Sequence, residues 1–306
     1  MTQTPPSARR GVLAIICACG IWGLSGIFYH ALAPVPPLEV LAHRTLWSLV
    51  FFLVVLGLQR RLGLLGAVLG RPRGLWPIAL AATMISVNWF GFILSVQTGH
   101  ALEASLGYYI FPLIATAIGV LAFRDRLQPL QCMAVALATI AVAVLTLGLG
   151  VTPWIALLLA ATFALYGALK KLTPLGPMVS TAAEVALLAP LALVWLWGVH
   201  RAGWTGPTGQ PGGWFGHDGW RTAGLMLSGP LTGLPLLLFS YASRQVRMTT
   251  LGLAQYLNPT LQFLVAVLVF GEPFTLWHRI AFALIWTALA IYSADSLWQS
   301  RRARMH

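Results

Sequence analysis

Long apolar runs, separated by short polar segments, make up most of this chain. The runs fall at residues 11 to 32, 38 to 58, 75 to 97, 102 to 123, 128 to 149, 152 to 169, 178 to 200, 221 to 242, 249 to 270 and 276 to 297. Each has about the 20 residues that a helix needs to cross the hydrocarbon core of a bilayer. Because a backbone in lipid must satisfy its own hydrogen bonds, the pattern predicts an all-α polytopic membrane protein of about ten transmembrane helices.

The separators contain prolines, glycines and charges, which end helices. They include Pro34 with Pro36 and Pro37, Arg71-Pro72-Arg73, Gly99-His100, Arg124-Asp125-Arg126, Lys170-Lys171 and Gly271-Glu272-Pro273. The longest, residues 201 to 220, is rich in Gly, Pro and Trp without a periodic apolar face, which predicts a flexible, exposed loop. The first run resembles a signal peptide, but it is longer than the apolar part of one, and Pro34 disfavours cleavage after its Ala-x-Ala pattern. We interpret it as helix 1.

Composition agrees with a surface that faces lipid: 58% of the residues are hydrophobic and 8% are charged, and the mean hydropathy is +0.80. The net charge of +12 does not indicate nucleic-acid binding, because the basic residues stand in short clusters between the apolar runs. Cys17, Cys19 and Cys132 lie within apolar runs and lack the spacing of a disulfide framework or a zinc site. No metal and no cofactor is predicted.

The basic clusters predict the orientation in the membrane. With a cytoplasmic N-terminus, 15 of the 19 Lys and Arg residues share the cytoplasmic side: Arg9, Arg10, Arg60, Arg61, Arg71, Arg73, Arg124, Arg126, Lys170, Lys171, Arg244, Arg247, Arg301, Arg302 and Arg304. Arg201, Arg221 and Arg279 fall outside, and Arg44 lies within a helix. The positive-inside rule therefore predicts that both termini are cytoplasmic and that the 201 to 220 loop is periplasmic.

An internal repeat divides the chain into residues 1–149 and 150–306. A shift of 147 positions superposes Leu106 on Leu253, Tyr109 on Tyr256, Pro112 on Pro259, Val120 on Val267, Leu121 on Leu268, Phe123 on Phe270 and Asp125 on Glu272. A weaker match, at a slightly different shift, aligns Gly23 with Gly167. Apolar helices of similar composition would give some of these matches by chance. Since five helices is an odd number, two five-helix halves must be inverted relative to each other, which is typical of transporters with a site near the midplane.

Several segments resemble the EamA-type drug/metabolite transporters, in particular the RarD group. They are His43-Arg44 with Trp47-Ser48, Asn88-Trp89, the 102–108 run LEASLGY with Pro112-Leu113, Tyr166-Gly167, Glu184 with Pro190, Gln255-Tyr256 with Pro259-Thr260, Gly271-Glu272 and Ile285-Trp286. Arg124-Asp125 departs from the Gly-Glu that such proteins often carry there. The resemblance implies ten helices in two EamA repeats, a location in the bacterial cytoplasmic membrane, and export or exchange of small organic solutes.

Three ionisable residues within the runs are candidates for function, because a charge at the bilayer centre costs several kcal/mol. Arg44 cannot lose its proton and needs a carboxylate, water or an anionic ligand, unless it reaches the outer interface. Glu184 should bind a proton readily unless it is paired, which suits proton coupling; a structural pair with Arg44 or a hydroxyl is the alternative. Glu103 is a second coupling candidate, although an acid at a helix N-terminus is explained by capping alone.

Neutral residues complete the predicted cavity. Asn88 with Phe92 and Ser95, and Gln255 with Gln262, form two polar stripes for which hydrogen bonds between helices are an equal explanation. Pro112 and Pro259 interrupt two helices at matching places and are the predicted hinges. The candidate substrate-binding residues are Trp22, Ser25, His43, Arg44, Trp47, Asn88, Trp89, Tyr108, Tyr166, Gln255, Tyr256 and Asn258.

The sequence favours an inner-membrane transporter of drugs or metabolites that works by alternating access. A channel-like or non-transporting membrane protein is the main alternative. An intramembrane enzyme is less favoured, because no HExxH, Ser/His pair or acidic metal motif is present. The expected partners are a small-molecule substrate, the lipid bilayer and, if transport is coupled, protons; the sequence leaves substrate, direction and oligomeric state open.

Overall fold

The computed structural model describes residues 6–71, 74–123, 129–150, 152–173, 175–246 and 248–302. Its helices are α1 (Pro6–Ala31), α2 (Pro37–Leu58), α3 (Leu62–Leu69), α4 (Leu75–Gln97), α5 (Ala101–Phe123), α6 (Pro129–Leu149), α7 (Trp154–Lys171), α8 (Pro177–Ala202), α9 (Gly219–Ala242), α10 (Met248–Gln255), α11 (Leu257–Leu264) and α12 (Leu276–Arg302). The described residues contain no strand. Predicted features at Pro72, Arg73, Arg124 to Arg126, Arg247 and Arg304 lie outside them.

Nine helices of the described ranges are long and apolar enough to cross a membrane, namely α1, α2, α4 to α9 and α12. A shorter apolar segment, Leu253–Val269, stands where the tenth span was expected. The prediction of an all-α polytopic membrane protein is confirmed. The pattern of apolar runs did not predict α3, because its eight residues are far fewer than a membrane-spanning helix needs.

The apolar run over 249 to 270, in which Pro259 is the predicted interruption, does not form one continuous helix. The chain breaks at Tyr256 between α10 and α11 and ends in a π-helical turn, Val265–Val269. Pro259 explains the break, because it has no N–H for the carbonyl of Gln255 and its ring would collide with that carbonyl in an unbroken helix. Pro112, by contrast, lies inside α5 without interrupting it.

Small residues let the helices approach closely. α5 packs on α7, α6 on α12, α2 on α8 and α9, α4 on α7, and α1 on α9 and α11. A Cβ on Gly107 would lie 2.7 Å from the carbonyl oxygen of Ala156, and one on Gly229 would lie 2.3 Å from the carbonyl carbon of Trp47. These contacts are typical of helix interfaces in membranes, where van der Waals packing replaces the hydrophobic effect.

The helix pairs are related by an exchange of the two predicted halves. If α1, α2, α4, α5 and α6 correspond to α7, α8, α9, α10–α11 and α12, the α5–α7 pair maps onto α11–α1 and the α4–α7 pair onto α9–α1. The α2–α8 and α6–α12 pairs map onto themselves. The division near residue 149 stays a prediction, and this pairing is what an inverted repeat would produce.

The segment between α8 and α9, predicted as a flexible, exposed loop over 201 to 220, is exposed along most of its length, but residues 212–215 are half-buried. Its middle lies against α2, where the wholly buried carboxylate of Glu39 accepts the backbone N–H of Gly213 and of Trp214, both at 2.8 Å. Phe215 stacks on His43 with ring centroids 4.6 Å apart. The sequence pattern did not indicate this contact with α2, because the contact depends on the stacking of Phe215 on His43 and on the distant carboxylate of Glu39. We call residues 203–218 the outer segment.

The two ends of the bundle differ in charge. Alternating helix directions put the start of α1, the α2–α3 turn with Arg60 and Arg61, and the end of α7 with Lys171 at one end, which we call the basic end. The outer segment lies at the opposite end.

Candidate solute cavity

A cavity of about 700 Å³ lies at the centre of the bundle. Ten of the twelve predicted substrate-binding residues line it: Trp22, Ser25, Arg44, Asn88, Trp89, Tyr108, Tyr166, Gln255, Tyr256 and Asn258, together with both hinge candidates, Pro112 and Pro259. Its volume is in the range typical of small-molecule sites, about 300 to 1,000 Å³. The structure thus brings together most of the predicted set, while contact with a solute stays a prediction for each residue.

The cavity is closed at the outer segment and reaches toward the basic end. At the basic end its lining includes Thr181 in the second turn of α8 and Phe239 in the last turn of α9. At the other end it stops at Tyr29 and Arg44, which are 2% and 7% exposed. The outer segment lies beyond them, whereas the described lining continues toward the basic end.

Arg44 is the one charged residue of the described lining. Its guanidinium carbon lies 4.2 Å from the ring centroid of Trp89 and 5.5 Å from that of Tyr29. Its buried Nε has no hydrogen-bond partner, and the described residues provide no ion pair for it. Contacts with rings contribute about 2 kcal/mol when desolvated, whereas burying an ion costs several kcal/mol. The protein itself therefore leaves this charge largely uncompensated.

His43 and Trp47 do not line the cavity, so their predicted place there is wrong. His43 stacks on Phe215, and the Trp47 ring lies 6.4 Å from the same phenyl ring. Ser48, four residues after Arg44 on α2, is wholly buried and its hydroxyl has no hydrogen-bond partner. The reason is the close crossing of α9, whose Gly229 presses on the backbone of Trp47 and Ser48 and turns that side of α2 away from the cavity.

Asn88 joins α4, α5 and α7 through three hydrogen bonds of its side-chain amide. Its Nδ2 donates to the carbonyl oxygen of Leu159 at 2.9 Å and to Oγ1 of Thr162 at 3.0 Å, and its Oδ1 accepts the hydroxyl of Tyr108 at 2.9 Å. Ser95 donates to the carbonyl of Phe92 in its own helix at 2.8 Å. The polar groups of Asn88 and Ser95 are thus bonded within the protein. The bonds of Asn88 run between helices, as in the alternative interpretation of this stripe.

Glu184 is wholly buried in α8 and is neutralised by Lys170 of α7 through a short ion pair. The carboxylate also accepts hydrogen bonds from Ser180 and from Tyr166, both at 3.1 Å. Its partner is therefore not Arg44. Sequence reasoning assigned Lys170 to a basic flank; the signal it missed is that Tyr166 and Lys170 are four residues apart on α7, as are Ser180 and Glu184 on α8.

Glu103 caps a neighbouring helix instead of its own. Its Oε1 accepts the backbone N–H of Ile155 at 2.9 Å and of Ala156 at 3.4 Å, at the start of α7. Glu272 does the same for α5, accepting the N–H groups of Ala101 and Leu102 at 2.7 Å. Acids at these positions satisfy free donors and interact favourably with the helix dipole. Neither carboxylate lines the cavity.

The break in the tenth span places polar groups on the cavity wall. Gln262 donates through Nε2 to Oδ1 of Asn258 at 3.0 Å, while its own buried Oε1 has no partner. Nearby, the hydroxyls of Tyr109 and Thr260 are 2.7 Å apart and link α5 to α11. The two proline-containing helices therefore meet beside the cavity.

Aromatic side chains that the sequence did not single out form much of the wall. Phe163 lies 4.8 Å from Phe111 and stacks on Tyr166, with centroids 6.1 Å apart and planes at 22°. Tyr29 and Phe239 also face the cavity. The available signal was weak: Phe163, Tyr166 and Lys170 follow the i, i+3, i+7 spacing of one helix face, which core packing explains equally well.

Membrane-spanning helices that surround a solute-sized cavity are an arrangement found in small-solute membrane transporters. The profile of the EamA-like transporter family matches residues 9–147. Protein RarD of Streptomyces exfoliatus is 42% identical over 97% of this chain and 92% of its own length. Uncharacterized transporter PA0485 of Pseudomonas aeruginosa is 40% identical over 96% of each chain, and Protein RarD of Escherichia coli is 35% identical over 96% and 97%.

The chain belongs to the EamA-like transporter family and is similar to its RarD proteins over nearly its full length, which confirms the predicted resemblance. A crystal structure described only as that of a protein aligns with a TM-score of 0.54 at 20% identity, over 92% of this chain and 96% of its own. That likeness supports the fold alone. The chain is thus a multi-pass membrane protein of a transporter family.

Proposed function

We propose that this protein moves small organic solutes across the bacterial cytoplasmic membrane by alternating access around its central cavity. The observation that carries the proposal is the cavity itself, with a buried, uncompensated Arg44 at its closed end and aromatic walls. Polar and charged residues at membrane depth mark substrate pathways by default, because they are costly to retain. The transporter names of the relatives agree with this role.

Alternating access would use the two predicted halves as moving bodies. α5 with Pro112 and α11 with Pro259 meet through Tyr109 and Thr260 beside the cavity. Proline removes backbone hydrogen bonds and gives each helix a place to bend. With both termini cytoplasmic, the basic end is the cytoplasmic end, and the structure corresponds to the inward-facing state, closed outside by the outer segment.

Glu184 is the proposed site of proton coupling. It lies behind Tyr166, whose ring lines the cavity, and its carboxylate is held by Lys170, whose side chain is 23% exposed. A rearrangement that pulls Lys170 toward solvent would leave the carboxylate buried and favour its protonation. Glu103 is the weaker candidate, because its carboxylate accepts two backbone N–H groups at the start of α7 and does not line the cavity.

An enzymatic role has no support in the cavity. Its lining contains Arg44 and neutral side chains, with Asn88 and Tyr108 already bonded to each other and Glu184 outside the lining. General acid–base or nucleophilic chemistry needs a nucleophile and a base within hydrogen-bond reach. We therefore propose transport without chemical conversion.

A comparison of a deletion strain with an overexpressing strain tests the function most directly when the cargo is unknown. We expect at least one small organic metabolite to change in opposite directions in the two culture media, measured by mass spectrometry, together with altered sensitivity to at least one drug. An overexpressing strain with an inactive Pro259→Leu variant controls for membrane burden. No difference for any solute would contradict the transporter function.

A further inference from the structure

Every carboxylate whose side chain the structure describes has partners away from Arg44. Glu39 holds the outer segment, Glu103 and Glu272 cap α7 and α5, and Glu184 binds Lys170. Asp218 binds Arg221 and the backbone N–H of Trp220 at 2.9 Å. These five carboxylates therefore leave Arg44 without a counter-ion, and the described lining of the cavity contains one cation and no anion. A bound anionic solute would supply the counter-charge.

The guanidinium has N–H donors that could receive such a charge. Its central carbon lies over the ring of Trp89, 4.2 Å from the centroid, and 5.5 Å from the centroid of Tyr29. The N–H donors of a guanidinium lie in its plane, so stacking on the face leaves them available to a carboxylate in bidentate geometry. Among the described residues, none hydrogen-bonds to these donors, and the buried Nε is without a partner.

The rest of the cavity favours a flat ring over a flexible chain. Phe163, Phe111 and Tyr166 form a continuous aromatic wall, and Phe92 and Tyr108 add a T-shaped pair with centroids 6.0 Å apart. Rings prefer edge-to-face or offset contacts with such walls. A cationic ring would gain from the same walls, but it would share the cavity with the fixed charge of Arg44.

One neutral group adds a further requirement. Gln262 is one of the cavity-lining residues, and its buried Oε1 has no donor; an unsatisfied buried acceptor is costly. A donor on the solute, such as a ring N–H or O–H, would satisfy it. The hydroxyl of Tyr108 and the amide of Asn88 are already engaged with each other and with α7.

We infer that the cavity is selective for aromatic monoanions: a carboxylate bound by Arg44, a flat ring among the phenyl groups, and a ring donor for Gln262. The inference rests on the proposed function only in treating this cavity as the transport site. It differs from a general preference for apolar drugs, because charge should dominate the selectivity.

Four probes that share one indole ring test the inference: indole-3-acetate is an anion, indole-3-acetamide is neutral, tryptamine is a cation and tryptophan is a zwitterion. Binding to the purified full-length protein in detergent is measured by isothermal titration calorimetry. We expect indole-3-acetate to bind at least about ten-fold more tightly than each of the others, the factor that one charge-assisted hydrogen bond provides. Equal or tighter binding of the amide or the amine, or no saturable binding of the acetate, would overturn the inference.

Substitutions assign the selectivity to Arg44. Arg44→Gln should bring the affinity for indole-3-acetate down to that for the acetamide, and Arg44→Lys should keep the charge but lose much of the preference, since lysine lacks the planar donor pair. Arg221→Lys is the matched control, because Arg221 also stacks on a tryptophan, Trp214 at 4.4 Å, but lies outside the cavity. A preference that survives Arg44→Gln contradicts the assignment, and the wild-type probe series remains decisive if a variant does not fold.

Transport assays in proteoliposomes separate this inference from the proposed function. Selective binding of the anion without any counterflow of it would overturn the transport proposal and leave the selectivity in place. Counterflow of tryptamine in preference to indole-3-acetate would overturn the selectivity and leave the transport proposal in place.

Discussion

At the scale of single residues, the buried pair of Glu184 and Lys170 separates a coupling role from a structural one. Removing one partner of a buried ion pair strands the other, whereas removing both charges together is often tolerated. Because Lys170 is 23% exposed, it can stay solvated when Glu184 is replaced. The two effects are therefore distinguishable by comparing the single with the double substitution.

We predict that Glu184→Gln keeps solute exchange but abolishes accumulation against a gradient, because the amide keeps its bonds to Ser180 and Tyr166 but cannot cycle a proton. The loss in stability should be about 1 to 3 kcal/mol, as for a charged hydrogen bond, measured by thermal unfolding in detergent. The double variant Glu184→Gln/Lys170→Met should recover stability and still fail to accumulate solute in proteoliposomes. Normal accumulation by either variant would make the pair structural.

At the scale of elements, the hydrogen bonds between Glu39 of α2 and the outer segment join the segment that lies beyond the closed end of the cavity to the helix that carries Arg44. Glu39→Gln can accept only one of the two backbone N–H groups and turns its own amide donor toward the other. We predict faster hydrogen exchange in residues 209–216, corresponding to a loss of about 1 to 3 kcal/mol for a buried donor left unsatisfied.

Hydrogen-exchange mass spectrometry measures this directly, and Glu103→Gln is the matched control. Glu103 also accepts two backbone N–H groups, but at the start of α7, so its replacement should leave the outer segment unchanged. If residues 209–216 exchange at the wild-type rate in Glu39→Gln, the carboxylate does not hold the segment closed.

Elements differ in how well the sequence predicts them. Nine spans were predicted because each is long and apolar, and the sequence revealed Arg44 because a charge inside such a run needs an explanation. α3 was too short to register, and the broken tenth span has ordinary hydropathy, so only Pro259 indicated it. Lys170 was missed because a cation at the end of a run resembles a cytoplasmic flank, while its partner stands on the next helix.

The face that α2 presents to the cavity could not be predicted from the sequence, for a different reason. Which face of a nearly uniform apolar helix meets the cavity depends on where Gly229 of α9 crosses it. His43 and Trp47 thus pack toward the outer segment while their neighbour Arg44 reaches the cavity. Local periodicity carries no information about that crossing.

At the scale of the whole molecule, the topology depends on whether the broken segment α10–α11 crosses the bilayer. Seven full spans precede residue 209, so Gly209 should lie opposite the N-terminus. If the broken segment crosses, the chain makes ten passes and the C-terminus returns to the side of the N-terminus. Reporter fusions at Gly209 and at the C-terminus should therefore give opposite signals. Equal signals would mean that α10–α11 does not cross and would contradict the ten-span arrangement.

The central claim is that the cavity is the path of the solute, and a blocking substitution tests it most directly. Ser25 lines the cavity and is 8% exposed, whereas Leu147 is 84% exposed on the outside of α6. Ser25→Trp should obstruct the cavity, and Leu147→Trp adds the same side chain to the exposed outer surface of α6. The measurement is the release of the solute identified by the deletion and overexpression strains, at equal protein levels. We expect release at the background rate for Ser25→Trp and at the wild-type rate for Leu147→Trp. Undiminished release by Ser25→Trp would contradict the role of the cavity as the path of the solute.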